Sequence, residues 1–400
     1  MSCSNSLFAK AWLLMVVLVL LVFGNGVLSA AQTEHTIYYF HTSYDVDIEA
    51  GLVADSSGAL YGTTTFGGTG WGTVFEVSPP AAQGDPWTES TLYAFQRNND
   101  GANPFSPLVF DSKGNLYGTT LTGGSAGWTV FQLAPPAVQG GAWTESVIHT
   151  GNGAVQAGLA MDATRNLYGS TFSGQVFQLV PPVVGGGAWT YNSIYNLAIT
   201  SSITRNLVLD SKGNLYGTSE TGGTYGHGFV FGLKPPTVSG GKWTKINVYN
   251  FMGGSEGQYP ASSLTITKTG VLYGTTEAGG AAGLGLVYSL TPPTTQGAPW
   301  TETVLYNFQG GSDGEQPEGG VTVGNGGVLY GTTFYGSLGN GVVYKLTPPS
   351  GAGDPWTEAE VYSFTGISDG GQPICNLLLQ PHGVLYGTTS NPSAVFEVSQ

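Results

Sequence analysis

The tripeptide Leu-Tyr-Gly occurs seven times, with its tyrosines at Tyr61, Tyr117, Tyr168, Tyr216, Tyr273, Tyr330 and Tyr386. Successive tyrosines lie 56, 51, 48, 57, 57 and 56 residues apart. Such regularity across a 400-residue chain means one structural unit made seven times. A unit of that size cannot bury both of its faces alone, so the copies must pack on one another. One large domain is therefore expected, although the length could hold two or three ordinary ones.

The fifth unit gives the plan of each copy. Ser263 to Thr267 (SLTIT) alternates and is rich in β-formers, Lys268-Thr269-Gly270 turns the chain, and Val271 to Thr276 (VLYGTT) is a second strand. A glycine-rich loop, Glu277 to Gly285, leads to a third strand, Leu286 to Leu290. Pro292-Pro293 ends that strand, because proline cannot donate to a ladder. Trp300 to Phe308 (WTETVLYNF) is the fourth. Aspartate and glycine recur in the first turn, as in Asp111-Ser112-Lys113-Gly114 and Asp210-Ser211-Lys212-Gly213. The tryptophans Trp87, Trp143, Trp189, Trp243, Trp300 and Trp356 and the repeat tyrosines are read as packing residues between sheets.

The chain ends at Val395 to Val398, the third strand of the seventh unit. It also holds a fourth strand without a unit, Thr33-Glu34-His35-Thr36-Ile37-Tyr38-Tyr39-Phe40, which lines up with Thr301 to Phe308. The expectation is an all-β fold: a seven-bladed β-propeller of four-stranded antiparallel blades. Residues 31–400 form the single domain, with the last blade shared by residues 33–40 and 375–400. An open β-stack is the alternative, and would need capping units that the sequence lacks.

The repeat resembles the GloVer-type tandem repeat of secreted bacterial proteins. The likeness rests on LYGTT, the glycine-rich loop, the Val-Phe third strand, Pro-Pro and the WTE strand, and covers about Thr33 to Gln400. It implies export and supplies no catalytic residues. Members of that family often end in a surface-anchoring segment, whereas this chain stops at Gln400. Release into the medium or periplasm is therefore expected over anchoring.

The N-terminus agrees with export. Lys10 precedes an apolar run, Ala11 to Phe23, and Gly24-Asn25-Gly26 and the small residues to Ala31 follow. Residues 1–30 read as a signal peptide, too short for a comfortable membrane span. An uncleaved anchor is the alternative. Cleavage near Ala30 removes Lys10, taking the net charge from −14 to −15, and removes Cys3, leaving Cys375 without a disulfide partner. A chain this acidic repels phosphate backbones and anionic membrane surfaces, so neither nucleic acid nor membrane insertion is expected. A monomer is expected.

In a propeller, the loops from strand four to the next strand one share a face with those joining strands two and three. Binding is usually built on such loops. The first set carries Asp45, Asp47, Asp100, Glu256, Asp313, Glu315 and Asp369; the second carries Trp71, Trp128, Tyr225, His227, Phe334 and Tyr335. Carboxylates beside exposed rings suit sugars, since rings stack on apolar sugar faces and acids accept from hydroxyls. Asp45, Asp47, Asp100, Asp313, Asp369, Trp71, Trp128, Tyr225 and His227 are therefore the candidate ligand-binding residues. Asp-Gly before proline is also ordinary turn chemistry, which is the competing reading of each acid. The loops into the third and fourth blades lack acids, and this predicts a notch beside Tyr225 and His227.

No cofactor is expected. Acidic glycine loops could feed oxygens to calcium, yet no EF-hand or repeat-toxin spacing is present, and melting should then be insensitive to chelator. The histidines lack zinc-ligand spacing, and Cys375 reads as a buried small hydrophobe. The leading functional reading is a secreted binding or scaffold protein recognising a glycan or surface protein. A carbohydrate-active lyase or hydrolase using loop carboxylates and a passive envelope protein are the alternatives, with catalysis the less favoured.

Overall fold

The computed structural model describes residues 34–40 and 47–399, apart from 126, 139, 185, 198–202, 239, 296 and 352. The expected signal peptide and Asp45 lie outside the described residues. Glu34–Gln400 is one compact unit. It holds seven antiparallel sheets in a ring, a β-propeller, each ordered first to fourth strand as in the chain. Blade 5 is built from Thr265–Ile266, Leu272–Thr276, Leu286–Thr291 and Thr301–Asn307. Blade 2 adds a short strand, Ala102–Pro104, beside its second.

The ring closes as the sequence suggests. Blade 7 takes Leu378–Leu379, Leu385–Ser390 and Ser393–Val398 from the end of the chain and Glu34–Tyr39 from its beginning. Thr36 pairs with Phe396 and Tyr38 with Val395. Every fourth strand is bulged at one aliphatic residue; in the closing strand that residue is Ile37, between Thr36 and Tyr38. A bulge raises local twist, which suits the outermost strand of a propeller blade.

Leu-Tyr-Gly recurs because each of its residues meets a different neighbour. The leucine is fully buried. The glycine lies opposite the aromatic residue of the third strand, Gly62 opposite Phe75 in blade 1. A methyl on Gly62 would sit 2.5 Å from Phe75 Cζ, so the ring lies flat on bare backbone. Only a residue without Cβ permits that approach. The tyrosine meets, edge-on, the tryptophan of the next blade's fourth strand: Tyr61 and Trp143 at 6.4 Å, Tyr117 and Trp189 at 5.8 Å, Tyr216 and Trp300 at 5.7 Å. Tyr386 and Trp87, 5.9 Å apart, carry the same contact across the junction of the chain ends. In blades 1 to 4 the tyrosine hydroxyl donates to the first-turn aspartate, as Tyr168 does to Asp162 at 2.9 Å.

The threonine after Leu-Tyr-Gly ties each blade to the next. Thr119 Oγ1 donates to the Ala157 carbonyl at 3.1 Å, Thr218 to Ser262 at 3.1 Å and Thr275 to Gly319 at 3.0 Å. Thr63 and Thr332 reach Ser106 and Cys375 at 3.4 Å, and Thr388 closes the circle onto Ala50 at 3.0 Å. Blade 3 has Ser170 there, and among the described residues its buried hydroxyl has no partner. These acceptors all lie where the chain enters a first strand, so the hydroxyls line up around the axis.

Candidate functional site

The connections from strand four to strand one and the loops joining strands two and three form one face, called here the loop face. The connections into blades 5, 6 and 7 each clip a loop on either side. Tyr259 N donates to His227 O at 3.0 Å, while Glu277 N donates to Tyr259 O at 3.1 Å. Gln316 and Gln372 repeat the first clip onto Leu284 and Asn340. To do so Asn103, Tyr259, Gln316 and Gln372 adopt φ of 57°, 59°, 55° and 54°, each just before a proline. Non-glycine residues in that region store strain that the surroundings must hold, and such strain concentrates at functional surfaces.

The carboxylates proposed for ligand binding are engaged within their own loops. Asp100 accepts from Tyr93 Oη at 2.9 Å and from the amides of Gln96 and Asn98. Asp313 accepts from Tyr306 Oη at 2.7 Å and from Gln309 N. Asp369, only 6% exposed, accepts from Tyr362 Oη at 2.7 Å and from Thr365. Burial alone would raise its pKa, but these donors outweigh it and hold the carboxyl below its usual value. Glu256 holds Tyr249 in the same way at 2.8 Å. The repeated pairing, an acid seven residues after a tyrosine, fastens each connection to the strand before it. Asp47 is half-buried, and its carbonyl accepts from Thr65 N.

The aromatic candidates divide. Trp128 is 1% exposed, donates Nε1 to Asn152 O at 3.0 Å and stacks on Phe177 at 5.2 Å; it is a core residue. Its signal was misleading because a glycine-rich loop in the sequence becomes the start of a long third strand, Gly127–Ala134. Trp71 is half-buried against the core, with the Arg97 guanidinium 4.3 Å above its ring. His227 is half-buried, its ring close against Gly253. Tyr225 is 54% exposed. Beside it, at Thr224, opens a cleft of about 450 Å³ lined by Leu197, Phe229, Lys245 and Asn250. These candidates stand on different blades, and the structure does not bring them into one site.

What converges instead is the axis. A cavity of about 170 Å³ lies at the loop-face end of the central channel and draws its lining from every blade. Glu49, Ser106, Gln156, Asn206, Ser263, Glu318 and Asn376 supply one polar side chain each. Several also pin neighbouring blades: Asn206 Oδ1 accepts from Gly158 N at 2.7 Å and Asn376 Oδ1 from Gly320 N at 2.8 Å. A signal existed in the sequence. Asn206, Ser263 and Asn376 all stand ten residues ahead of the repeat tyrosines Tyr216, Tyr273 and Tyr386.

Strongly shifted carboxyls occur elsewhere. Desolvation pushes Glu145, Glu302 and Glu358, the glutamates of WTE, up to about 7, with repulsion from Asp100, Glu256 and Asp313 adding to it. Each has one buried oxygen without a hydrogen-bond partner among the described residues. They stand on three separate fourth strands, not as a facing pair. Cys375 is buried, with Sγ 3.0 Å from Thr388 Oγ1. Among the described residues no group of three or more histidine, cysteine or acidic side chains is placed to hold a metal ion.

The Gloeobacter/Verrucomicrobia repeat matches residues 21–179 and 172–396. No curated protein matches the chain. Among solved structures, the WD40 β-propeller domain of Doa1 superposes with TM-score 0.56 at 13% identity, covering 92% of this chain and 97% of that one. The extracellular domains of the hybrid two component systems BT3049 and BT4673 from B. thetaiotaomicron give TM-scores of 0.54 and 0.55 at 12% and 11% identity. They cover 92% of this chain, which spans only 41% and 40% of their length. At such identities the likeness attests the fold alone.

Proposed function

The chain belongs to the Gloeobacter/Verrucomicrobia repeat family, and from that premise we propose that it is an exported β-propeller that binds a glycan or a surface protein through its loop face. The observation that carries the reading is the axial cavity, a preformed concavity of about 170 Å³ to which every blade contributes. Ligand sites are characteristically concave, pre-formed and furnished with a few polar groups. The clipped loops around it and their left-handed residues make a surface held in one shape, which lowers the ordering cost of binding. Exposed Tyr225 and the cleft beside it extend that surface outward.

Binding is favoured over turnover because four of the loop-face acids are already committed. Asp100, Glu256, Asp313 and Asp369 each accept from a tyrosine hydroxyl of their own connection. A general acid or base needs a proton-transfer position free to reach substrate.

A glycan array, a surface-protein binding screen and a reducing-sugar release assay together test the proposal. Gln156→Trp, which fills the cavity, and Tyr225→Ala, which removes the exposed ring, should each weaken binding about tenfold, the scale of one lost contact of about 1.4 kcal/mol. Blank arrays and a blank screen would sink the reading, as would ligand binding that neither substitution alters. Sugar release would replace it with the enzyme alternative.

A further inference from the structure

The opposite face, made of the turns between strands one and two and the Pro-Pro loops between strands three and four, is not uniform around the ring. In blades 2, 3 and 4 the residues following Pro-Pro include Val138, Val183, Val184 and Val238, which are 76%, 103%, 75% and 68% exposed. At the same positions blades 1, 5 and 6 carry Ala81-Ala82, Thr294-Thr295 and Ser350-Gly351. Isolated exposed apolar residues are ordinary, but four on three successive loop tips of one sector form a pattern.

Charge follows the same sector. The turns and Pro-Pro loops of blades 2 to 5 hold Lys113, Arg165, Lys212, Lys234, Lys242 and Lys268, against Asp111, Asp162 and Asp210. Those three aspartates are tied into their own turns by backbone amides. Arg165 is paired with Asp111 at 2.9 Å. The five lysines are exposed and, among the described residues, none has a carboxylate within ion-pairing distance. In blades 1 and 6 the Pro-Pro loops carry Asp85 and Asp354 instead. A chain of net charge −14 thus keeps a basic sector with apolar tips, while its loop face carries Asp100, Glu256, Asp313, Glu315 and Asp369.

Lys212 and Lys268 also flank a cleft of about 420 Å³ between blades 4 and 5, lined by Tyr216, Pro292, Trp300 and one carboxylate, Asp210, which is engaged by the amides of its own turn. The equivalent cleft between blades 1 and 2, about 380 Å³, has Asp55 and Asp111 with Tyr61 and Trp143, and no base.

We propose that this sector docks on the surface of an anionic phospholipid bilayer, the valine tips entering the interfacial layer and Lys212 and Lys268 flanking a headgroup phosphate. Apolar area entering the interface and lysines facing anionic lipid both contribute to such binding. The tips stand on separate loops and Val183 is fully exposed. A folded partner would need a matching pocket for each tip, whereas a bilayer takes them without shape complementarity. The acidic loop face then points away from the lipid, so attraction and repulsion orient the molecule together. For one sector this departs from the expectation that so acidic a chain avoids anionic membrane surfaces.

The species to test is Glu34–Gln400, from which all seven sheets are built, because the apolar run Ala11 to Phe23 would itself partition into lipid. Co-sedimentation with phosphatidylcholine vesicles, with and without phosphatidylglycerol, should show binding only to the anionic vesicles, weakening as salt rises. Replacing the four valines by serine (V138S, V183S, V184S, V238S) should weaken binding at least about tenfold, as should Lys212→Gln with Lys268→Gln. The loop-tip changes are exposed, and an unchanged melting temperature verifies folding; the lysine pair and the salt series keep the test decisive if it changes. Parent protein left in the supernatant with anionic vesicles would overturn the proposal. So would equal binding to neutral vesicles, or a parent dimer that the valine substitutions split, which would make the sector a contact between copies.

Discussion

Glu302 follows Thr301 on a fourth strand, where the neighbouring blade half-covers it and Glu256 repels it. Burial raises its pKa from 4.5 to about 7, and Glu145 and Glu358 share that shift for the same first reason. The sign follows from which state holds the proton. Between the two values the folded chain binds more protons than the unfolded one, so stability is fully present below about pH 4.5 and falls as pH rises through about 7. The aspartates Asp55, Asp111, Asp162 and Asp369 are shifted the other way, their hydrogen bonds outweighing burial, and lose their contribution as pH falls below about 4. Melting temperature should therefore peak in mildly acid solution and decline toward pH 8. Glu302→Gln and Glu358→Gln should flatten the decline, each recovering about 1 kcal/mol or less near pH 8 once solvent screening of these half-exposed groups is allowed for. Calorimetry across that range measures it; an unchanged slope in both variants would contradict the assignment. None of this was legible in the sequence, where Glu302 is one more polar residue after a tryptophan. Its environment comes from the adjacent blade, and no local pattern encodes that.

The strand order, by contrast, was legible, because turn chemistry, Pro-Pro and period-two patterning act within one unit. What the pattern hid is how units join. Thr119 and its equivalents look like ordinary β-formers, yet each hydroxyl reaches a carbonyl of the following blade. Thr119 also exchanges a hydrogen bond with Ser106 Oγ at 2.8 Å. Thr119→Val keeps the shape and removes both bonds, leaving buried oxygens unpaired, and should cost about 1–3 kcal/mol in urea unfolding. Ser170→Ala, at the one equivalent position whose hydroxyl has no partner among the described residues, should cost distinctly less. Equal losses would show that the hydroxyl bonds do not hold the blades together. The loop acids carry the same lesson at the element scale. Asp-Gly-x-x-Pro was readable as a turn; that the aspartate also grips a tyrosine seven residues back required the fourth strand and its connection to be seen together.

For the whole molecule, the closing strand was readable because a missing piece at one end and an unattached piece at the other had the same sequence pattern. The axial cavity was not, since its lining residues are spread from Glu49 to Leu378 and only the ring gathers them. Removing residues 34–40 should leave Ser393–Val398 as an open edge and uncover the buried side chains that Ile37 packs among, Ile48, Leu52, Phe75 and Val395. The truncated protein is expected to associate, visible as a mass increase in light scattering; a monomer that melts like the parent would contradict this. Because Glu34 pairs with Val398, the closing strand finds its partner only after every other blade has been made. Until then six blades wait with both ends uncovered. A chain interrupted before Ser393 would keep strand edges exposed and prone to association, so closure of the ring reports whether its seventh blade is whole.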